Sequence, residues 1–194
     1  MTAVKKPVFS AEDYLAWEAG QPEKHEYLAG EVYAMAGASD AHVTISGNVF
    51  SALRAHLRGG PCRAYIADMK LRIDAADAFF YPDVFVTCAA ADAALTHFKR
   101  EPVLIVEVLS PATAAFDRGG KFAHYRSLAS LREYVLIDCE RVAVDVFRRE
   151  VNGHWVLYPY GPGETVELDS LGLSLPVAAI YEEVTLEVGA STRS

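Results

Sequence analysis

The chain has 194 residues, 52% of them hydrophobic and 23% charged, enough for a buried core, but no apolar run approaches the roughly 20 residues that cross a bilayer. A net charge of −8 excludes a surface that coats nucleic acid non-specifically, since neutralising phosphates takes a broadly basic face. Cys62, Cys88 and Cys139 lie far apart without CxxC spacing, and the six histidines form no HxH or HExxH pattern, so buried, reduced thiols are expected in place of a disulfide framework or a zinc site.

The opening stretch MTAVKKPVFSAEDYLAWE has no apolar signal core, and the chain is expected to be a cytoplasmic single domain over residues 1–194, without a membrane partner. Ser10-Ala-Glu-Asp13 has capping-box spacing, and Tyr14, Leu15 and Trp17 predict a short helix that stops near Gly20. HEYLAGEVYAMAG predicts two short strands turning at Ala29-Gly30, with Glu31 just past the turn. Ser39 or Asp40 can cap a helix from about Ala41 to Arg58, in which Ile45, Val49, Leu53 and Leu57 share one face and His42 stands in line with them in the first turn. AYIADMKLRI alternates from Asp68 onward and predicts one half-buried strand with Lys70 on the polar face, beside the strand that follows.

YPDVFV and EPVLIVEVLS predict two further strands, separated by an Ala-rich loop with a short helix over residues 88–101. Lys121 to Leu131 reads as a helix and EYVLID as a strand, an order that predicts a parallel strand pair. Beyond Asp138 the pattern is all strand, punctuated as antiparallel hairpins, and the tail is expected to fray after Val188.

Two carboxylates stand out. Glu107 sits in a run bounded by Pro102 and Pro111 that reads as a strand covered on both faces, where an unpaired ion would cost several kcal/mol. Asp83 raises the same problem 24 residues earlier. Two acids on neighbouring strands can converge on one divalent ion, and a nearby lysine would complete a hydrolytic site. Asp117, Lys121 and Tyr125 recur every four residues and form one helical stripe that could face the strand ends, or leave Lys121 a surface residue paired with Asp117.

Pro82-Asp83, Glu107 at the end of the next apolar strand, HEYLAGEVYAMAGAS with His42, EPVLIVEVLSPAT, and the Asp117, Lys121, Tyr125 series before LREYVLID together resemble the PD-(D/E)XK nuclease superfamily. Within it, the resemblance is nearly full length to the putative restriction endonuclease family, formerly a domain of unknown function. That resemblance implies an α/β (α+β) fold, restriction-endonuclease-like, with a mixed central sheet flanked by helices and additional antiparallel hairpins. It implies Mg²⁺ or Mn²⁺ held by Asp83, Glu107 and the Val108 carbonyl, and DNA as the partner. The superfamily lysine belongs two residues after Glu107, where this chain has Leu109; Lys121 is the replacement that related families imply, and Asp68-Met69-Lys70 is the rival that matches the spacing literally. Glu31, His42, Lys70 and Tyr125 are candidates to line the site. A homodimer follows from the need to cut two strands. The alternatives are a nuclease fold that has kept only a nucleic-acid- or protein-binding role, and a hydrolase of another phosphoester.

Overall fold

The computed structural model describes residues 9–35 and 37–186; the expectation for the tail after Val188 lies outside them. Helix α1 (Ala11–Glu18) is followed by strands β1 (His25–Leu28) and β2 (Glu31–Ala34), helix α2 (Asp40–His56), strands β3 (Arg63–Ile66), β4 (Lys70–Ile73), β5 (Ala78–Phe80) and β6 (Val84–Thr87), the turn α3 (Ala90–Ala93), and strands β7 (Phe98–Lys99) and β8 (Pro102–Leu109). An irregular helical segment comes next: α4 (Ala114–Phe116), a π-helical turn (Asp117–Lys121) and α5 (Phe122–Tyr125). Strands β9 (Glu133–Asp138), β10 (Val144–Arg149), β11 (Trp155–Tyr160), β12 (Thr165–Leu168) and β13 (Leu173–Pro176) and the turn α6 (Val177–Ile180) complete the order. No helix among the described residues is long and apolar enough to cross a membrane.

Local chemistry sets the element ends. Ser10 and Asp13 close a reciprocal capping box on α1, and the Ser39 hydroxyl accepts the His42 N–H at the start of α2. Ala29 and Gly30 both take positive φ, 49° and 94°, which lets β1 and β2 pair as a tight hairpin.

The central sheet has the order β11-β10-β9-β8-β6-β3 and is mixed, with β8 and β9 parallel and β6 antiparallel to β8. Its inner strands feed two cores. Leu104, Val106 and Val108 of β8 pack with Ile45, Val49 and Leu53 of α2, while Ile105 and Leu109 pack with Phe122, Tyr125 and Leu131 on the other face. Burying one such side chain stabilises by about 1.5–3 kcal/mol, which explains why β8 lacks the alternation of a half-solvated strand. The same packing explains Leu109: it is buried in the second core, where a lysine would have no solvent.

A second sheet has the order β2-β1-β5-β4-β7, and it corrects the expectation of one strand through AYIADMKLRI. Ala67 adopts φ 52° and ends the pairing of β3 with β6; β4 then pairs with β5 and β7 in the other sheet. The alternation begins only at Asp68, after the break, and belongs to β4, so periodicity alone does not reveal the change of sheet.

The cysteines give a second correction. The register sets Arg63 opposite Thr87, which brings Cys62 against Cys88 in a disulfide, leaving Cys139 free and buried. The sequence separation of 26 residues hid a partnership that strand register creates. Closing a loop of that length stabilises by about 3.5 kcal/mol in the chain-entropy view. Thermal unfolding with and without reductant is therefore expected to differ by several degrees, and Cys62→Ser is expected to abolish the difference; equal midpoints in the parent protein would show that the strands hold without the bond.

Candidate active site

Pro82 leads into β6, and pairing of Val84 with Val106 brings Asp83 beside Glu107 at one end of the central sheet. The Asp83 N–H donates to Glu107 Oε2 at 3.3 Å, and Asp83 Oδ2 accepts the Val108 N–H at 2.7 Å. From the α2 side, His42 Nε2 lies 3.3 Å from Asp83 Oδ2 and also faces the Val108 carbonyl. The helix and both strands thus meet at one point.

Lysine arrives from the opposite face. The π turn is one residue wider than an α-helical turn, the kind of irregularity often found at functional sites. Gly120 within it lies against Phe116, whose ring a Cβ would meet at 2.7 Å, so a larger residue there would require the Phe116 ring, 42% exposed, to turn aside. Lys121 Nζ then sits 3.0 Å from Glu107 Oε1, 3.0 Å from Glu26 Oε1 and 3.7 Å from Asp117 Oδ1, and 5.5 Å from the centre of the Phe80 ring. Tyr125, one turn on, donates its hydroxyl to Glu107 Oε1 at 2.8 Å.

Glu107, Lys121 and Asp117 are only 3%, 6% and 3% exposed, so their charges are set by one another and not by water. Burial pushes the Glu107 carboxyl well above its ordinary value; the Lys121 ammonium opposes that, and Asp83, Asp117 and Glu26 reinforce it. Burial also raises Asp117, against Lys121 and a hydrogen bond from Thr113. Burial by itself would pull Lys121 down, yet Glu107, Glu26 and Asp117 hold it above the ordinary lysine value. After burial, these directions have a common source: the carboxylates of Glu107, Glu26 and Asp117 crowd around one ammonium, with Asp83 adding its charge beside Glu107. Burial followed by the Glu107 charge keeps the Tyr125 phenol protonated and a donor.

Burial lowers His42 as well, but the hydrogen bond and charge of Asp83 outweigh it, with smaller contributions from the Val108 carbonyl and Asp117, so the imidazole binds its proton more tightly than usual. A raised folded value stabilises the protein below the ordinary imidazole range and ceases to do so as pH rises through the folded value. An NMR titration is expected to place the His42 midpoint above the ordinary imidazole value, and Asp83→Asn is expected to bring it down; a midpoint unmoved by that substitution would break the proposed link between them.

The structure brings together Asp83, Glu107, Val108, Lys121, His42 and Tyr125 of the residues singled out in the sequence. It does not bring Glu31 or Lys70 to them. Glu31 is exposed on β2 and accepts from the Tyr33 hydroxyl; Lys70 stands on β4 over the Tyr81 ring at 5.1 Å. The third acid is instead Glu26, which sequence reasoning missed. On β1, Tyr27 points into the aromatic cluster under α1, so its neighbour Glu26 projects from the opposite face and receives Lys121 and the Tyr81 N–H. The one signal in the sequence was that alternation beside a buried tyrosine.

The donor set suits a hard divalent cation. Among the described residues no three His, Cys, Asp or Glu side chains form a ready metal cage, while Asp83 Oδ1 has no hydrogen-bond partner and Glu107 Oε2 has only the 3.3 Å contact from Asp83. Two carboxylate oxygens and the Val108 carbonyl, completed by water or phosphate oxygens, match the habit of magnesium. Asp83, with its side chain 19% exposed against 4% for Glu107, marks the solvent side.

Comparison with known proteins covers most of the chain. The sequence profile of the Uma2 family, described as "Putative restriction endonuclease", matches residues 11–178. An uncharacterized protein of Synechocystis sp. is 42% identical over 175 residues, covering 90% of this chain and 92% of that protein. A second uncharacterized protein of Synechocystis sp. is 32% identical over 173 residues, covering 87% and 96%. The crystal structure of a putative nuclease belonging to DUF820 from Anabaena variabilis superposes with a TM-score of 0.72 and 18% identity, over 89% of this chain and 97% of that one, a likeness that shows the same mixed α+β fold.

Proposed function

The chain belongs to the Uma2 family of putative restriction endonucleases, and we propose that it is a Mg²⁺- or Mn²⁺-dependent endonuclease that hydrolyses DNA phosphodiester bonds. The observation that carries this reading is the convergence of Asp83 and Glu107 with the buried Lys121 ammonium, 3.0 Å from the Glu107 carboxylate. Asp83, Glu107 and the Val108 carbonyl would hold the ion, which when bound supplies an activated water and polarises the scissile phosphate.

The remaining work falls to this chain's own side chains. Lys121 is held protonated by three acids, so it acts as a fixed positive charge that stabilises charge developing at phosphorus, and not as a base. Tyr125 and the Asp83 N–H fix the Glu107 carboxylate in place. His42 orients Asp83 from the α2 side. Cutting a duplex calls for a second copy, and the exposed edge strand β11, with Val156 39% and Leu157 46% exposed, is where one would add.

Supercoiled plasmid incubated with Mg²⁺ or Mn²⁺ tests this reading. Nicked and linear product is expected with either ion and none in chelator, and Asp83→Asn is expected to remove the activity. Cleavage that persists in chelator or in Asp83→Asn would overturn it; DNA binding without cleavage by the parent protein would leave a binding module on the same fold.

A further inference from the structure

The end of β3 away from Asp83 carries a pocket of about 240 Å³ whose lining includes Arg54, Arg58 and Arg63, and nothing in the proposed cleavage uses it. All three arginines are exposed. None has a hydrogen bond or ion pair from its guanidinium among the described residues, whereas Arg72, Arg118, Arg141 and Arg148 are each paired with an acid. Arg54 and Arg58 at the end of α2 gain from the helix dipole, but Arg63 lies on the next strand and has no such reason to be there. Gly59, with φ 82°, turns the chain back so that the helix end and the strand start face each other.

The pocket has a definite relation to the acids. β3 is the edge of the central sheet, and just beyond its far end the Ala67 N–H donates to the Asp83 carbonyl at 3.0 Å. Arg63 is thus four residues of extended chain from the site, about 13 Å at ~3.3 Å per residue. Phosphates of one DNA strand advance about 3.4 Å each along the duplex axis, so 13 Å corresponds to about four nucleotides. With a net charge of −8 the molecule as a whole repels DNA, and binding must rest on local cations free of acid partners.

We propose that Arg54, Arg58 and Arg63 form a phosphate-binding subsite that grips the DNA backbone about four nucleotides from the bond cleaved at Asp83 and Glu107. The distance rests on the endonuclease reading; the phosphate chemistry does not. Bidentate guanidinium groups match phosphate oxygens, and they would give the enzyme purchase on duplex without base contacts.

The test is the salt dependence of binding to a fluorescent duplex of about 25 base pairs, read by anisotropy in Ca²⁺. The triple variant Arg54→Gln, Arg58→Gln, Arg63→Gln is expected to lower the slope of log affinity against log salt by roughly 2–3, and each single variant by about one. Arg132→Gln, at an exposed arginine outside the pocket, is expected to leave the slope unchanged. Mn²⁺-dependent hydrolysis of bis(p-nitrophenyl) phosphate, too small to reach the pocket, is expected to proceed at the parent rate in the triple variant. An unchanged slope in the triple variant, or an equal fall with Arg132→Gln, would overturn the subsite while leaving the cleavage reading intact. Loss of slope in a protein that cleaves nothing would uphold phosphate binding and overturn the nuclease assignment instead.

Discussion

Glu107→Gln is expected to fold and to lose DNA cleavage by a factor on the order of 10³ or more. The amide keeps the size of the side chain and an oxygen for the Tyr125 hydroxyl, which now donates to Glu107 at 2.8 Å, but it gives up the charge that faces the cation. Charge stabilisation by a bound ion is worth several kcal/mol, and each ~1.4 kcal/mol is tenfold in rate. Stability moves in a separate direction. Because burial raises the Glu107 carboxyl, the folded protein holds that proton more tightly than the unfolded chain. Its contribution is present below the ordinary carboxylate value, about 4.3, and lost as pH rises through the higher folded value. Glutamine has no such dependence, so the fall of stability with pH above about 4.3 should be shallower in the variant. Urea unfolding across that range, run beside plasmid cleavage, checks both; retained cleavage, or an identical pH slope, would contradict the role given to this carboxyl.

Lys121→Met is expected to cost about 3–5 kcal/mol of stability near neutral pH, the usual consequence of removing one partner from buried ions, and about 10²–10³-fold in cleavage, the loss that follows removal of one charge-stabilising group. The side chain is 6% exposed and lies among Glu107, Glu26 and Asp117, so methionine fills the space but leaves three acids without a cation. Glu107 and Asp117, both already raised by burial, can recover by taking up protons. The deficit should therefore be larger at pH 8 than at pH 5. In the parent protein the ammonium, with its folded value raised, keeps contributing up to the ordinary lysine range and loses the contribution only above it. Denaturant midpoints of parent and variant at the two pH values decide the matter: an equal deficit at both would mean that Lys121 acts by packing and not by charge.

Some of this site was legible in the chain and some was not, for reasons particular residues make plain. Asp83 and Glu107 stood out because a carboxylate in an apolar strand is costly wherever the strand goes. Lys121 and Tyr125 followed from helical spacing, even though the helix begins at Ala114 and contains a π turn, since the stripe survives one irregular turn. Glu31 drew notice because it sits just past a turn, while Glu26 acquires its role only when β1 joins β5. Lys70 looked close to Asp83 along the sequence, but the left-handed Ala67 sends its strand into the other sheet.

What depends on near neighbours could be read along the chain: the Ser10 cap, a cap at Ser39 or Asp40, the Ala29-Gly30 hairpin, the doubly covered strand around Glu107 and the anomaly of an acid within it. What depends on register between distant segments emerged only on folding: the meeting of Cys62 with Cys88, the break between β3 and β4, the entry of Glu26, and the arginines gathered from α2 and β3. Capping and alternation are settled within a few residues by sterics and hydrogen bonds. Convergence is settled by which strands pair and at what offset, and only the packing of the two cores against the sheet fixes that.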